Sequence, residues 1–315
     1  MTVSIKVTRP GRDLTPPSPS RTGKRNGWVA FAFLAPWLIG LFGLTLGPML
    51  YSFYLSFTDY NLLAPVANWV GLDNYVRIFT ADARATQSMI VTAVYVLVAV
   101  PLILVFSMLV ALLLNSEIGF LTGYRALFYL PSLLGASVAV AALWRVIWGD
   151  EGIINEVLSF FGIEHSSWVG SPDTALMTIV VLAVWAFGST MIIFLAGLRQ
   201  VPLEIQEAAQ VDGAGKVRRF FSITLPILTP IIFFNTLMVT INAFQAFTPA
   251  FVISGGTGGP ADSTLFYTLY LYQQGFAQLN MGYASALAWV LVAILGAFTA
   301  LFFWSSKYWV YYGDK

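Results

Sequence analysis

The sequence contains no cysteine and a single histidine, His165. Disulfides, thiol chemistry and cysteine-ligated metals are thereby excluded, and one imidazole cannot build a multi-histidine metal site. Charge is also scarce: 10% of residues are Asp, Glu, Lys or Arg, where a water-soluble chain carries about a quarter. Apolar residues take their place, making up 58% of the 315. That much apolar surface has to face lipid. The net charge of +1 says little by itself, whereas its distribution along the chain is informative.

Crossing a hydrocarbon core takes roughly 20 mostly apolar residues in helical form. Six stretches qualify: Trp28–Phe57, Ser88–Asn115, Tyr124–Trp148, Ala175–Leu198, Ile227–Ile253 and Tyr283–Ser305. They predict an all-α membrane protein. Pro36 and Pro48 predict kinks in the first span, tolerated where neighbours re-satisfy the freed carbonyls. Thirteen of the 16 Lys and Arg residues fall on one side of this arrangement, leaving Arg77, Arg84 and Arg145 on the other. The positive-inside rule then places both termini in the cytoplasm. Residues 1–27, rich in Pro, Ser and Arg, read as a disordered basic tail, residues 28–306 as the membrane domain, and 307–315 as a short cytoplasmic end. A cleaved signal peptide fits poorly, because the apolar run is too long and no small-residue cleavage site precedes Thr58.

Between the fourth and fifth spans lies a stretch that is not membrane-like, Arg199 to Pro226. Pro202, Glu204 and Glu207 suit the first half of a helix. Ala208 and Ala209 continue it, and Asp212-Gly213 breaks it, since glycine adopts positive φ without strain. A second short helix follows from Ala214 to about Phe221. The expectation is a helix–turn–helix platform outside the bilayer, either a solvated connector or a docking surface. Gly213-Ala-Gly-Lys216 looks like a phosphate-loop fragment but fails the pattern: Gln210 stands where the first glycine belongs, and Val217 where Ser or Thr should follow the lysine. This chain is not expected to hydrolyse ATP.

The platform carries a specific resemblance. Glu207-Ala208-Ala209, Asp212-Gly213-Ala214, Phe220, Ile223 and Leu225-Pro226 resemble, at matching spacing, the EAA loop of permease subunits of binding-protein-dependent ABC importers. The resemblance implies a type I importer permease fold in a bacterial or archaeal cytoplasmic membrane. It implies a homologous second permease subunit, two copies of a cytoplasmic ATPase, and an extracytoplasmic solute-binding protein. It brings no cofactor to this chain, since ATP and magnesium belong to the ATPase, and no nucleic-acid partner. Carried over by position, Glu207 would pair with a basic group of the ATPase, Ala208 and Ala209 would pack on it, and Asp212 and Gly213 would make the turn. Arg218 and Arg219 would add contacts there or anchor the loop at the membrane surface.

Other segments are similar to carbohydrate permeases of the maltose and glycerol-phosphate type. These are Phe33–Leu63, Val70-Gly-Leu-Asp-Asn-Tyr75, Arg125-Ala-Leu-Phe-Tyr-Leu-Pro131 and Thr257-Gly-Gly-Pro260 with Tyr270-Leu-Tyr272. They point to the half related to the larger maltose permease subunit, without its large extracytoplasmic insertion. Within the spans, charges sit only near helix ends, Glu117 and Arg145 among them, which suits a neutral solute. A sugar wants amides for its hydroxyls and aromatic faces for its rings. The fifth span offers Asn235, Asn242, Phe244, Gln245 and Phe247, of which Asn242 and Gln245 are the first candidates for the solute path. Helix–helix hydrogen bonds are the competing use of those amides. Trp185 and Ser189 on the fourth span are weaker candidates. His165 is expected to be a solvated loop residue. A glycerol-phosphate or other solute permease remains an alternative reading. An ion-driven transporter would need intramembrane carboxylates or a repeated half, and an embedded enzyme an acid–base pair or metal cluster; the spans show neither.

Overall fold

The computed structural model describes residues 26–64, 66–115, 121–135 and 137–311. Most of the predicted tail, Glu117 and the last four residues lie outside the described residues. Regular structure among the described residues is helical, apart from one isolated bridge between Thr58 and Trp69. The chain divides into two units, Met1–Tyr51 and Ser52–Lys315.

The first unit holds most of α1 (Trp28–Leu55), long and apolar enough to cross a membrane. Proline has no N–H to donate, and the kinks expected at Pro36 and Pro48 take the form of wider turns. Gly40–Leu46 is a π stretch between the two rings, closed where the Gly47 N–H reaches back to the Phe42 carbonyl. Phe33 and Leu44 on this helix are each 82% exposed.

The second unit is organised on one long helix. Its α-helices, in order and leaving out the single turn Leu225–Ile227, are α2 (Asp73–Thr80), α3 (Ala83–Leu114), α4 (Leu121–Leu134), α5 (Val138–Ile147), α6 (Ile153–Phe160), α7 (Pro172–Trp185), α8 (Gly188–Leu198), α9 (Leu203–Val211), α10 (Lys216–Arg219), α11 (Thr229–Phe244), α12 (Thr248–Ile253), α13 (Tyr267–Tyr272) and α14 (Met281–Trp309), with π stretches at Phe220–Thr224 and Gln273–Ala277. Helix α3 is apolar on all sides, so size rather than polarity decides which face is packed. Ala85, Ser88, Ala99, Ser107 and Ala111 are wholly buried, and α7, α8, α11 and α13 lie against it. Small residues let backbones approach, which matters where lipid removes the hydrophobic drive between helices.

Three of the expected spans are not continuous. The third is interrupted between α4 and α5, the fourth bends by 43° between α7 and α8, and the fifth, still one span from Thr229 to Ile253, loses regular helix at residues 245–247 between α11 and α12. Hydropathy cannot see such breaks, because the average over a span-length window stays apolar across them. Close packing explains two of them. A Cβ on Gly188 would stand 2.6 Å from the Phe128 carbonyl and 2.8 Å from the Tyr129 Cα, so the start of α8 rests directly on α4. A Cβ on Gly135 would meet the Ala186 methyl at 2.6 Å, joining the third-span break to the fourth-span bend. Hydroxyls from other helices tie the irregular backbone: Ser107 of α3 donates to the Phe187 carbonyl at 3.3 Å, and Thr268 of α13 donates to the Ala246 carbonyl. The Trp144 indole likewise donates to the Thr178 carbonyl at 2.8 Å.

One end of the bundle is held by a polar cap. The Asn74 amide donates to the Ser56 and Thr58 carbonyls, both at 2.9 Å, and the Tyr75 hydroxyl meets Ser56 Oγ at 2.8 Å. The Val70–Tyr75 motif therefore fixes the turn after α1. Asp82 caps α3 by accepting the Ala85 N–H, and its other oxygen accepts the Tyr270 and Tyr283 hydroxyls. Arg84 grips Asp262 through two bonds of 2.9 and 2.8 Å. Both partners are partly exposed, so this pair contributes no more than about 1 kcal/mol. Burial raises the Asp82 carboxyl, but donation from Tyr270, Tyr283 and the Ala85 amide outweighs it and holds the group below the ordinary aspartate range.

Two outcomes follow for stability. A carboxyl whose folded value is depressed stabilises above the unfolded value, near 3.8, and loses that contribution as pH falls through the folded value. The melting temperature of the purified protein should thus be flat around neutrality and fall below about pH 4. Asp82→Asn should remove part of that fall and cost about 2 kcal/mol at pH 7, the worth of hydrogen bonds to a charged acceptor. Gly188→Val should cost about 3 kcal/mol or more by forcing α8 off α4, read as a drop in melting temperature that Gly188→Ala shows in milder form.

Candidate functional site

The break in the fifth span gathers the residues singled out for a solute path. Asn242 and Gln245 lie three residues apart at the end of α11, with Gln245 as its capping residue. Both are exposed, in line with Phe234 and Met238 on the same face. Neither amide makes a hydrogen bond to any described residue. Two unpaired amides thus stand on an otherwise apolar helix face. Phe244 is half-buried with its ring 6.4 Å from that of Phe298. Phe247 sits inside the break, stacked on Phe251 at 5.2 Å and tilted against Tyr272 at 5.3 Å. The two phenylalanines therefore serve packing as well as any path. Asn235 goes elsewhere: it is 2% exposed, and its Nδ2 has no partner among the described residues.

Trp185 and Ser189 flank the bend of the fourth span, and both are exposed. Trp185 begins a run of tryptophans, with centroids 6.1 Å to Trp144, 5.9 Å on to Trp148 and 6.0 Å on to Trp168. Beyond it opens a cleft of about 400 Å³ whose polar lining includes Arg145, Asp150, Ser167, Ser254 and Thr257. Arg145 thus belongs to a cleft at the ends of the spans and is not among the residues at the fifth-span break.

The 199–226 loop forms two helices around a glycine turn, but the second starts at Lys216 rather than Ala214 and runs on beyond Phe221 through a π stretch, Phe220–Thr224, to Ile227. Helix α9 begins after Pro202 and ends in a turn built from two backbone bonds, Ala214 N–H to Ala209 carbonyl at 2.9 Å and Gly213 N–H to Gln210 carbonyl at 3.1 Å. This is a Schellman termination. Gly213 has φ +81° with open space around it, so backbone conformation alone demands the glycine. Glu207, Ala208, Asp212 and Arg218 are exposed, and Ala209 is half-buried. Arg219 turns inward instead, donating to Gln210 Oε1 at 3.0 Å and the Gln206 carbonyl at 3.4 Å. It clamps α10 onto α9.

Two loop residues escaped the sequence reading. Val211 is 88% and Val217 71% exposed, an apolar pair beside the acidic residues. The available signal was a valine on each side of the Gly213 turn, and Leu203, Ile205 and Phe221 of the same segment are exposed as well.

Comparison with known proteins bears on this arrangement. Residues 78–309 match the family described as "Binding-protein-dependent transport system inner membrane component". The chain is 51% identical over 297 residues to the "Probable ABC transporter permease protein YesP" of Bacillus subtilis (strain 168), covering 94% of this chain and 96% of the relative. It is 34% identical over 276 residues to the arabinooligosaccharides transport system permease protein AraP of Halalkalibacterium halodurans, covering 85% and 84%. Its fold matches a chain of a bacterial alginate ABC transporter crystallised with an alginate pentasaccharide-bound periplasmic protein. That match has a TM-score of 0.80 at 19% identity over 91% of this chain and 96% of the other. A bundle of interrupted spans, a family matching about three quarters of the chain and a relative 51% identical over nearly all of it agree: the chain belongs to the binding-protein-dependent transport system inner membrane components, as a multi-pass ABC transporter permease.

Proposed function

We propose that this chain is one of two permease subunits of an ATP-driven sugar importer, and that its fifth-span break lines the solute path. The observation that carries the reading is the pair of unpaired amides, Asn242 and Gln245, on an exposed helix face. An unsatisfied amide in hydrocarbon costs several kcal/mol, so this face belongs against a second subunit or a polar cavity. Amides three residues apart beside Phe247 suit a neutral polyhydroxylated ring, hydroxyls to the amides and carbon face to an aromatic. Broken helices near mid-span are where transporters place ligand sites, because irregular backbone is tolerated only beside protein or a cavity. The arabinooligosaccharide relative supports a carbohydrate as the solute class. A glycerol-phosphate solute would call for a cation near the amides, and Arg145 lies instead in the cleft at the span ends.

The energy comes from a partner ATPase docked on the 199–226 loop. Its exposed Glu207 supplies charge complementarity, and Val211 and Val217 supply an apolar anchor. The clamp from Arg219 and the Schellman turn make the loop rigid, so a push on it moves the attached spans as a body. With an external binding protein delivering solute, two packed states of the paired permeases then alternate access to the path. The Lys and Arg distribution supports cytoplasmic termini and a cytoplasmic face for the loop.

Two sets of variants test the parts separately in the reconstituted complex. Glu207→Lys should abolish solute-dependent transport while the binding protein still captures sugar; unimpaired transport would contradict the docking role. Asn242→Ala and Gln245→Ala should each lower transport by about tenfold, the effect of losing roughly 1.5 kcal/mol of hydrogen bonding, with complex assembly and basal ATP hydrolysis intact. Wild-type transport rates in both would remove these residues from the path.

A further inference from the structure

On the inner side of the 199–226 loop, level with the ends of α3 and α8, is a cavity of about 280 Å³. Leu112 and Leu198, in the last turns of those two helices, form its apolar wall. Its polar lining is Asn115, Gln206, Lys216, Arg219 and Thr224. Two of these are cations, and no carboxylate is among the described residues that line it. Arg219 spends one nitrogen on Gln206 and Gln210, while its Nε is sealed from solvent with no partner among the described residues. Thr224 is only 7% exposed, and its hydroxyl bonds to no described residue. Lys216 is exposed at the mouth of the cavity, and its ammonium has no partner among the described residues. Of these donors the Arg219 Nε is the one both sealed from solvent and unmatched among the described residues, and such a donor is rare and points to a ligand that supplies an acceptor.

We propose that this cavity binds the phosphate group of an anionic ligand, with Lys216 and Arg219 neutralising its charge and Thr224 and Asn115 donating to its oxygens. A guanidinium and an ammonium converging beside a hydroxyl form a donor set matched to a tetrahedral oxyanion with several acceptor oxygens. The depth fits as well: the wall is made by the terminal turns of two spans, the level at which a bilayer places its headgroups. A basic pocket at the ends of spans is a site for an acidic phospholipid headgroup. Inorganic phosphate offers the same chemistry. Whichever the source, the ligand would touch α3, α8 and the loop together. It would brace the loop against the spans that the loop has to move.

The test uses the assembled transporter purified in neutral detergent. Native mass spectrometry measures retention of phosphatidylglycerol against phosphatidylcholine of the same chain length. A parallel thermal-shift titration compares sodium phosphate with sodium chloride at equal ionic strength. Wild type should retain phosphatidylglycerol preferentially, and Lys216→Gln should weaken that retention about fivefold, the effect of one charge near an anionic surface. Thr224→Val, nearly identical in shape, should weaken it with the melting temperature unchanged in the absence of anion. Arg219→Gln also cuts the tie to Gln210, so the other two variants carry the decision. If inorganic phosphate alone stabilises the wild type, and Lys216→Gln abolishes the effect, the cavity takes a soluble phosphate and the assignment stands. If both variants retain phosphatidylglycerol as wild type does, and none of the proteins responds to phosphate, the assignment is overturned.

Discussion

The controlling constraint is that backbone polar groups at membrane depth have no water to bond. Regular helices satisfy them internally, so each break has to be supported by neighbours. Here the support can be named. Ser107, wholly buried on α3, donates to the Phe187 carbonyl at the fourth-span bend, and Thr268 donates to the Ala246 carbonyl within the fifth-span break. Glycines at 135 and 188 let the broken segments lie on one another at distances no Cβ permits. The long helix α3 lies against α7, α8 and α11, the segments that border these two breaks. A pair of exposed amides can be held at a defined place in an otherwise apolar bundle because the backbone around them is pinned.

The same logic separates the two ends of the second unit. The cap around Asp82, Arg84, Tyr270 and Tyr283 is satisfied almost throughout, with every Asp82 oxygen accepting a bond. It behaves as a structural clasp. The 199–226 loop is different: internally rigid through its Schellman turn and Arg219, yet with Glu207, Asp212, Val211 and Val217 left facing outward. A rigid body with an unsatisfied outer face suits transmission of force between a partner and the spans.

Much of this was legible in the residues. Four of the six apolar stretches coincide with single helices long and apolar enough to cross a membrane, and the third and fourth make six only if each bent pair counts as one span; α14 runs on to Trp309 and α1 stops at Leu55. The first loop helix and its turn were legible, because Pro202, the paired alanines and Asp212-Gly213 are local signals whose conformational preferences do not depend on the rest of the chain, whereas the π stretch at Phe220–Thr224 that carries the second helix on to Ile227 was not. The breaks were not legible. A bend at Gly188 depends on what lies 2.6 Å away in another helix, and no window of hydropathy contains that information. The division between Asn242 and Asn235 was hidden for the same reason. The two share a residue type and a helix, but one faces outward and the other packs inward. Arg218 and Arg219 were similarly indistinguishable in sequence, and only the fold shows that the second is a clamp.

The central claim is that the face carrying Asn242 and Gln245 borders an aqueous solute path. The chain has no cysteine of its own, so a single introduced thiol reports without background. Asn242→Cys and Gln245→Cys, each in the assembled complex in membranes, should react with a charged, membrane-impermeant maleimide. The rate should change with nucleotide and fall when the transported sugar is present. If both positions react only with lipid-soluble reagents, as Phe33→Cys on α1 is expected to, and are indifferent to nucleotide and sugar, that face looks onto lipid and the account is contradicted.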